Sequence, residues 1–498
     1  MHRCFLLFLL LAAAGLPGAP AAESWPFITR RGDQLYEGER VFRTFSLTAP
    51  NLLAHESQLR ADLANRFPDE YEIRDLFGAL QRVGGRATRT FSFTVFHPDD
   101  HGIPVHIPAR RTYNEEAFRC LDRVLALARE YEVRLIIPFI ASQSFARVRG
   151  VDEFAALAGK PGSAFWTDPE VKEDFKHFLH FVLNRRNTLT GVLYKDDPAI
   201  LAWQLGNEFG SYPYDRQLDP KPWSRLILAW SLEMATYLKQ QDPRHLVMEA
   251  GGCDRAALLQ ADAIDIISDH LYEYWNRLGG RPTELGPLAR AGWAECTGRK
   301  VLLIDEFGLA TFANQRELLR TIREDTRIAG ALLWSARSHR RDGGWFYHNE
   351  GGTPVNSFHV PGFATGAAYD ETRVLDLLRR EAYAVRGEPV PPREKPAPAP
   401  VLLPLGAGGF TWRGATGASS YVLERAPDPD GPWTVIARDL QDSVVTDVKT
   451  FESSPESAQP VPLYFDEEAP AGATCHYRIK GVNVAGETAY SPVVTVRR

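Results

Sequence analysis

The 498-residue chain is 44% hydrophobic and 24% charged, with a formal net charge of -6, a make-up that excludes wholesale disorder and a polytopic membrane protein. It is too long for one ordinary domain and long enough for a large core plus a smaller module. Its mild acidity gives no basis for a nucleic-acid partner, because phosphate binding calls for clustered Lys and Arg, so the expected ligand is neutral or small.

The chain starts MHRCFLLFLLLAAAGLPGAPAAES. A short basic start (His2, Arg3), an apolar core from Phe5 to Ala14 and small residues at Ala19, Ala21 and Ala22 form the three-part pattern of a secretory signal peptide over 1–22. The apolar run is shorter than the roughly 18 to 20 residues a membrane span needs. The mature chain is therefore expected outside the cytoplasm, secreted or periplasmic, with no membrane-spanning segment. Export permits disulfides, and Cys120, Cys253, Cys296 and Cys475 remain after cleavage. They lack C-x-x-C spacing, which speaks against a zinc site or a redox motif. Cys120 falls in a helical pattern and reads as a buried thiol; a Cys253–Cys296 bridge stays open.

From 23 to 387, short apolar runs alternate with helical patterns. The predicted strands are VFRTFSL (41–47), ATRTFSF (87–93), RLIIPFI (134–140), ILAWQLG (200–206), HLVMEAG (245–251), DIISDHLY (265–272), VLLIDEF (301–307) and GALLWSA (330–336). Between the second and third lies EEAFRCLDRVLALAREY, with Phe118, Leu121, Leu125 and Ala128 at helical spacing. Eight strands with intervening helices, most of them continuous apolar runs, predict an α/β fold of the (β/α)8 TIM-barrel type. A doubly wound open sheet competes, but no Gly-rich phosphate turn follows an early strand.

EPVPPREKPAPAP (388–400) is too proline-rich to continue a helix or a central strand and suits an extended linker. Beyond it, 401–498 alternates apolar and polar residues between Gly, Pro and Asp breaks, as strands of a small all-β sandwich do. Trp412, Tyr421, Tyr477 and the closing NVAGETAYSPVVTV resemble a fibronectin type III domain. No catalytic constellation lies there, so a spacer or stabilising role is the simpler expectation than sugar binding.

In a (β/α)8 barrel the chemistry belongs at the C-terminal ends of the strands. The fourth strand leads into Asn207 and Glu208, the sixth carries His270 and Tyr272, the seventh ends in Asp305 and Glu306, the eighth offers Trp334, and Arg89 lies on the second. Taken singly, each has a plain structural reading: a salt-bridged Glu, a core His, a packing Trp, an ion-paired Arg. Their common position at one end of successive strands sets them apart. Two glutamates facing each other across a barrel mouth are the machinery of glycoside hydrolysis, one donating a proton to the leaving oxygen while the other attacks the anomeric carbon. The acid-base then needs a raised pKa and the nucleophile an ordinary or lowered one, and Arg89 is placed to keep the nucleophile ionised.

At these residues the chain resembles clan A glycoside hydrolases, family 5. FVLNRRNTLTGVLYKDDPAILAWQLGNE (181–208) is similar to the endo-β-1,4-mannanases in its Arg-x-Asn-x-x-Thr-Gly segment, its Tyr-Lys-Asp-Asp-Pro and its Asn-Glu; DIISDHLYEYW and VLLIDEFG are similar to the same group. The resemblance implies Glu208 as acid-base and Glu306 as nucleophile. It also implies Asn207 at the sugar 2-hydroxyl, Arg89 and Tyr272 orienting Glu306, His270 lining the site and Trp334 as the floor on which the sugar stacks. It implies retention of configuration with no metal or organic cofactor, an uncharged polysaccharide or oligosaccharide as partner, and a monomer. An exo-β-mannosidase and a β-1,4-glucanase are the enzymatic alternatives, and a catalytically weak carbohydrate-binding surface protein is the alternative from another class.

The chain departs from that pattern in four places. Pro-Arg after the Asn-Glu is replaced by Phe209-Gly210, the loop after the third strand reads ASQSFARVRGVDEFAALAGKPGSAFW, and Gly-x-Asn on the first strand is replaced by SLTAPN. The eighth strand continues into SARSHRRDGGWFYHNEGG, a basic and aromatic loop suited either to an acidic sugar or to carboxylates of neighbouring loops.

Overall fold

The computed structural model describes residues 25–53, 66–100, 103–144, 148–211, 220–296, 298–348, 357–363, 370–406, 408–443 and 461–497; the leader expected at 1–22 lies outside them. Eight strands, Thr44–Leu47, Ala87–Arg89, Arg134–Pro138, Ile200–Gln204, Leu246–Met248, Ile266–Tyr272, Val301–Gly308 and Ile328–Leu333, run in parallel. Their order around the sheet is first, eighth, seventh, and so on down to second. The remaining seam, between first and second, is bridged by Thr88 Oγ1 donating to Leu47 O (2.8 Å) and Ala49 N to Arg89 O (2.9 Å). This is a (β/α)8 barrel.

The helices outside it form where the pattern asks for them. Glu115–Glu130 starts at Asn114, whose side chain accepts from Glu116 N, and it buries Phe118, Leu121, Leu125 and Ala128 against the barrel. Each large side chain so buried stabilises by about 1.5–3 kcal/mol. Glu70–Arg82 is closed by a capping box between Asp69 and Glu72. Between the fifth and sixth strands only one helical turn, Arg255–Leu258, intervenes.

Two expectations are revised. The run 41–47 is divided: Arg40–Phe42 closes an antiparallel meander with Ile28–Arg31 and Gln34–Glu37, and the barrel strand starts only at Thr44. Ile28, Leu35 and Phe42 of the meander share one core with Ala87, Leu201 and Val301, residues at the N-terminal ends of the strands, so the meander plugs the end of the barrel opposite the mouth. The open question of a Cys253–Cys296 bridge closes too: all four cysteines described are free thiols. Cys120 is buried, and burial pushes its thiol up to about 12.

After the barrel, residues 388–400 are extended but strapped down. Arg82 donates to Glu394 O (3.2 Å) and Lys395 O (2.8 Å), and Arg379 to Pro391 O (2.5 Å). Two antiparallel sheets follow. Val401–Pro404, Gly409–Arg413 and Tyr464–Phe465 form one; Ser420–Ala426, Thr434–Leu440, Thr474–Asn483, Gly486–Glu487 and Val494–Arg497 form the other. Leu402, Phe410 and Trp412 of the first meet Tyr421, Leu423, Tyr477 and Ile479 of the second in a single core, which makes the unit a β-sandwich. Among the described residues no helix is long and apolar enough to cross a membrane.

Candidate active site

The fourth strand is buried throughout Ile200–Gln204. Past its end, Leu205 N donates to Met248 O (3.0 Å), Asn207 N to Ile140 O (2.7 Å) and Phe209 N to Ala250 O (3.0 Å), so the chain stays threaded between its neighbours up to the mouth. Gly206 is required on the way, since a Cβ there would lie 2.3 Å from the Phe209 ring and 2.5 Å from Ile140 O. At Glu208 the backbone takes φ +52°, a region L-residues seldom adopt and one that functional sites sustain by over-determined surroundings. Ser142 Oγ donates to the Glu208 carbonyl (2.8 Å) and helps to hold it there.

The Arg-x-Asn segment that precedes this strand is tied to the helix Glu115–Glu130. Arg185 Nη2 and Tyr194 OH both donate to Asp122 at 2.7 Å, and Asn187 Nδ2 donates to Asp122 O at 2.8 Å. None of the three lines the cleft.

Arg89, fully buried, joins the ends of three strands, the second, fourth and seventh. It donates from Nη1 to Glu306 Oε1, from Nη2 to Asn207 Oδ1 and from Nε to Gln204 Oε1, each at 2.6 Å, with Asp305 Oδ2 3.2 Å from Nε. Tyr272 OH donates to the other Glu306 oxygen at 2.5 Å. The pairing of the sixth and seventh strands shifts register between Leu303 and Glu306, and of these two successive carboxylates Glu306 lines the cleft while Asp305 stays fully buried. Asp305 accepts from Ser268 Oγ (2.6 Å) and Gln204 Nε2 (3.0 Å), while Glu306 stands above it.

His270 lies between the carboxylates. Its Nδ1 is 2.8 Å from Glu208 Oε1 and 3.3 Å from Glu306 Oε2, and its Nε2 is 3.4 Å from Asp305 Oδ2. Glu208, His270 and Glu306 each offer an atom within 4.8 Å of the others, which is also a spacing that metal ligands adopt. A metal there would compete with Arg89 and Tyr272 for the Glu306 oxygens. Burial opposes a charge on His270, but Glu306 and Asp305 overcome it and hold the imidazole well above its ordinary pKa. Burial pushes Glu306 up to about 7 against the pull of His270 and Arg89. Burial also favours neutral Glu208, yet the hydrogen bond and charge of His270 win and hold it below the usual carboxylate range. The order of the two glutamates is thus the reverse of the expected one: Arg89 touches Glu306, but desolvation outweighs it.

Trp334 follows the eighth strand, with Phe91 and His348 at ring separations of 6.0 and 6.1 Å. It lines a cleft of about 1040 Å³ together with Glu208, Glu306, His270 and Tyr272. Arg89 lies behind the cleft wall, reaching it through Glu306 and Asn207.

Several cleft residues carried no recognisable mark in the sequence. Gln143 accepts from Asn207 Nδ2 (3.1 Å) and donates to Glu208 Oε2 (2.6 Å), yet it comes from the divergent loop after the third strand. Glu249, at the end of the fifth strand, and His348 also line the cleft. Gln204 was legible in principle, as a polar residue inside an apolar strand. The basic loop after Trp334 turns mostly to protein carboxylates and carbonyls: Arg341 pairs with Glu72, Arg340 Nε donates to Gly343 O, and Arg337 donates to Asn51 of the first-strand segment that reads SLTAPN. Residues 349–352 of that loop, and 145–147 of the loop after the third strand, lie outside the described residues. Phe209, in place of Pro, is buried edge-on against Trp166 (4.9 Å) and Trp230 (5.4 Å). Gly210, in place of Arg, packs on Gly252 so closely that a Cβ would approach its Cα to 2.6 Å.

Comparison with known proteins places these features. A family profile described as GH family 5 beta-mannosidase-like matches residues 109–270. Mannan endo-1,4-beta-mannosidase 7 of Arabidopsis thaliana is 38% identical over 184 residues, covering 36% of this chain and 40% of that protein. Mannan endo-1,4-beta-mannosidase 3 of the same plant is 28% identical over 383 residues, 66% of this chain and 87% of its own length. The crystal structure of the endo-1,4-beta-mannanase of Rhizomucor miehei superposes with a TM-score of 0.55 at 20% identity, over 73% of this chain and all of the other, and speaks for the fold. With this barrel and these matches, the chain is a glycoside hydrolase.

Proposed function

We propose that the protein is a secreted, retaining endo-acting glycoside hydrolase of family 5 that cleaves β-1,4-mannosidic linkages in mannan-type polysaccharides. The observation that carries the reading is the pair Glu208 and Glu306 across the barrel mouth, with carboxylate oxygens within 4.8 Å of each other; retaining enzymes hold their carboxyl groups roughly 5–5.5 Å apart. The names of the matched relatives support mannan as substrate, and the N-terminal pattern supports export. The sandwich, with its Tyr477 on a central strand donating to Asp466 (2.9 Å), supports a fibronectin type III-like module.

In the first step Glu306 attacks the anomeric carbon while Glu208 gives its proton to the leaving oxygen, so the glycosidic bond breaks as the glycosyl–Glu306 ester forms. In the second, Glu208 takes a proton from water, the hydroxide attacks the same carbon and Glu306 leaves as carboxylate. Bound substrate supplies the expected protonation order. The Glu208 side chain is 30% exposed and that of Glu306 5%, so a sugar that expels water desolvates Glu208 far more and raises its pKa. Glu306 keeps donations from Arg89 and Tyr272, which favour its ionised form. Asn207 spends its oxygen on Arg89 and one amide hydrogen on Gln143, leaving the other hydrogen for a sugar hydroxyl. Trp334 offers its face to the apolar side of the ring.

The test is reducing-end release from mannan, glucomannan, cellulose and xylan by wild type, Glu208→Gln and Glu306→Gln. Mannan is expected to be the best substrate, with Glu306→Gln inactive and Glu208→Gln slowed by about 100 to 10,000-fold; equal activity in all three proteins would sink the reading. Oligosaccharides of mixed length in early digests support endo action, whereas mannose alone would mean an exo-enzyme.

A further inference from the structure

The loop that leaves Trp334 and returns at His348 begins and ends in the cleft, but its middle belongs to a different interface. Ala336 N donates to Thr48 O (2.8 Å), fixing the start of the loop on the barrel. His339 then runs into a sealed pocket between two carboxylates from different domains. Its backbone N donates to Asp75 Oδ2 (2.7 Å) and its Nδ1 lies 3.0 Å from the same oxygen, on the helix Glu70–Arg82. Its Nε2 lies 2.9 Å from Asp442 Oδ2 in the sandwich, and the His339 side chain is 1% exposed.

Other contacts hold this arrangement from both sides. Tyr421 OH donates to Asp442 Oδ2 (2.7 Å), Thr416 Oγ1 to Asp75 Oδ1 (2.5 Å) and Tyr71 OH to Gly414 O (2.9 Å). Trp345 stacks on His339 with ring centroids 3.4 Å apart. Gly414 has no room for a side chain, because a Cβ would stand 2.0 Å from His339 Nε2. Further along the loop, Gly344 N donates to Trp412 O (3.3 Å) and Tyr347 OH meets Ser443 Oγ (2.5 Å), one residue before His348 re-enters the cleft.

We propose that the C-terminal sandwich is a positioning part of the active site: through the Asp75–His339–Asp442 bridge and the Tyr347–Ser443 contact it holds the loop that sets Trp334 and His348, and with them the floor of the sugar site. The inference rests on the glycosidase reading for its kinetic consequence, while the clamp itself is geometric. A group held to within a fraction of an ångström by packed, hydrogen-bonded support is what a stacking floor requires. A buried network with every member bonded supplies such support. His339 and Asp442 act through Trp334 and His348 and touch no substrate themselves.

The test uses the full chain. Asp442→Ala, Asp442→Asn and Ser443→Ala are compared with wild type by kcat and KM on a soluble manno-oligosaccharide below the melting temperature, and by hydrogen exchange of the peptides spanning 334–348. The expected result is a tenfold or larger fall in kcat for Asp442→Ala, a two- to fivefold fall for Ser443→Ala, and recovery to within threefold of wild type in Asp442→Asn, which still offers His339 an acceptor. Exchange in 334–348 should rise in the same order. If Asp442→Ala does not fold, Ser443→Ala decides. Folded variants with wild-type kcat, KM and exchange would overturn the proposal and return the sandwich to an appendage. A wild-type enzyme inactive on every glycan would instead overturn the glycosidase reading, and the exchange data would still decide whether the clamp exists.

Discussion

Among the described residues, the imidazoles of His339 and His270 sit between carboxylates, and they behave differently because of what lies on the fourth side. His339 is enclosed by Asp75, Asp442 and the Trp345 ring; burial opposes its charge, but the two aspartates hold it protonated, up to about 9. His270 has three carboxylates around it, Glu208, Asp305 and Glu306, but its side chain is 13% exposed on an open cleft. The first set is paired and sealed from solvent, and breaking one buried partner of such a set usually costs about 3–5 kcal/mol. The second has more acid than base and a wall that a ligand can change. The same chemistry serves as a clasp where solvent is excluded and as a proton reservoir where a substrate can enter.

The sharpest way to break the contrast is to remove the carboxylates. Glu306→Gln is expected to abolish turnover, and Glu208→Gln to lower kcat by about 100 to 10,000-fold, the range general acid-base help provides; steady-state kinetics on mannan check both. At the clasp, Asp75→Ala should leave His339 with one acceptor and lower stability by about 3–5 kcal/mol, read as a fall in the urea midpoint with an unchanged slope. Neither glutamate substitution should produce that fall.

Smaller effects sharpen the reservoir. Burial lifts Glu306 to about 7 in the free enzyme while His270 holds Glu208 below the usual carboxylate range; because the nucleophile is then the less acidic of the two, kcat/KM should level off on the acid side and fall as pH increases through about 7. Tyr272→Phe removes a hydrogen bond that favours the ionised form, so its falling limb should move to higher pH. An unchanged limb would show that another group controls it. Gln143→Ala removes a donor to ionised Glu208. The Glu208 pKa should therefore rise, shifting the rising, acid limb of the same profile to higher pH with only a few-fold change at its maximum.

How much of this could be read in the sequence follows from how far each feature depends on local pattern. The barrel was legible because parallel strands buried on both faces are continuous apolar runs, and seven of the eight begin within two residues of their expected starts. The first strand was blurred because 41–47 is equally apolar in the plugging meander and in the barrel, and only the tertiary partners of Phe42 and Phe45 separate them. Glu208, Glu306, Asn207, His270 and Tyr272 were legible from their places at strand ends. The structure brings them together, with Arg89 behind. Gln143 was not, since a loop glutamine has no periodicity to betray it. The protonation order was missed because proximity of Arg89 to Glu306 was visible in principle, whereas the depth of burial that outweighs it is a property of the folded site. The clamp was missed for the same reason: His339, Asp75 and Asp442 are ordinary residues of a loop, a helix and a sandwich until the fold seals them together.

The most direct measurement of the central claim is covalent trapping. Incubation with a 2-deoxy-2-fluoro-β-mannosyl fluoride slows breakdown of the ester more than its formation, and peptide mass mapping then locates the sugar. The account predicts one glycosyl adduct per chain, on the peptide containing Glu306 and absent from Glu306→Gln. An adduct on Glu208, or turnover by inversion with no adduct at all, would contradict it.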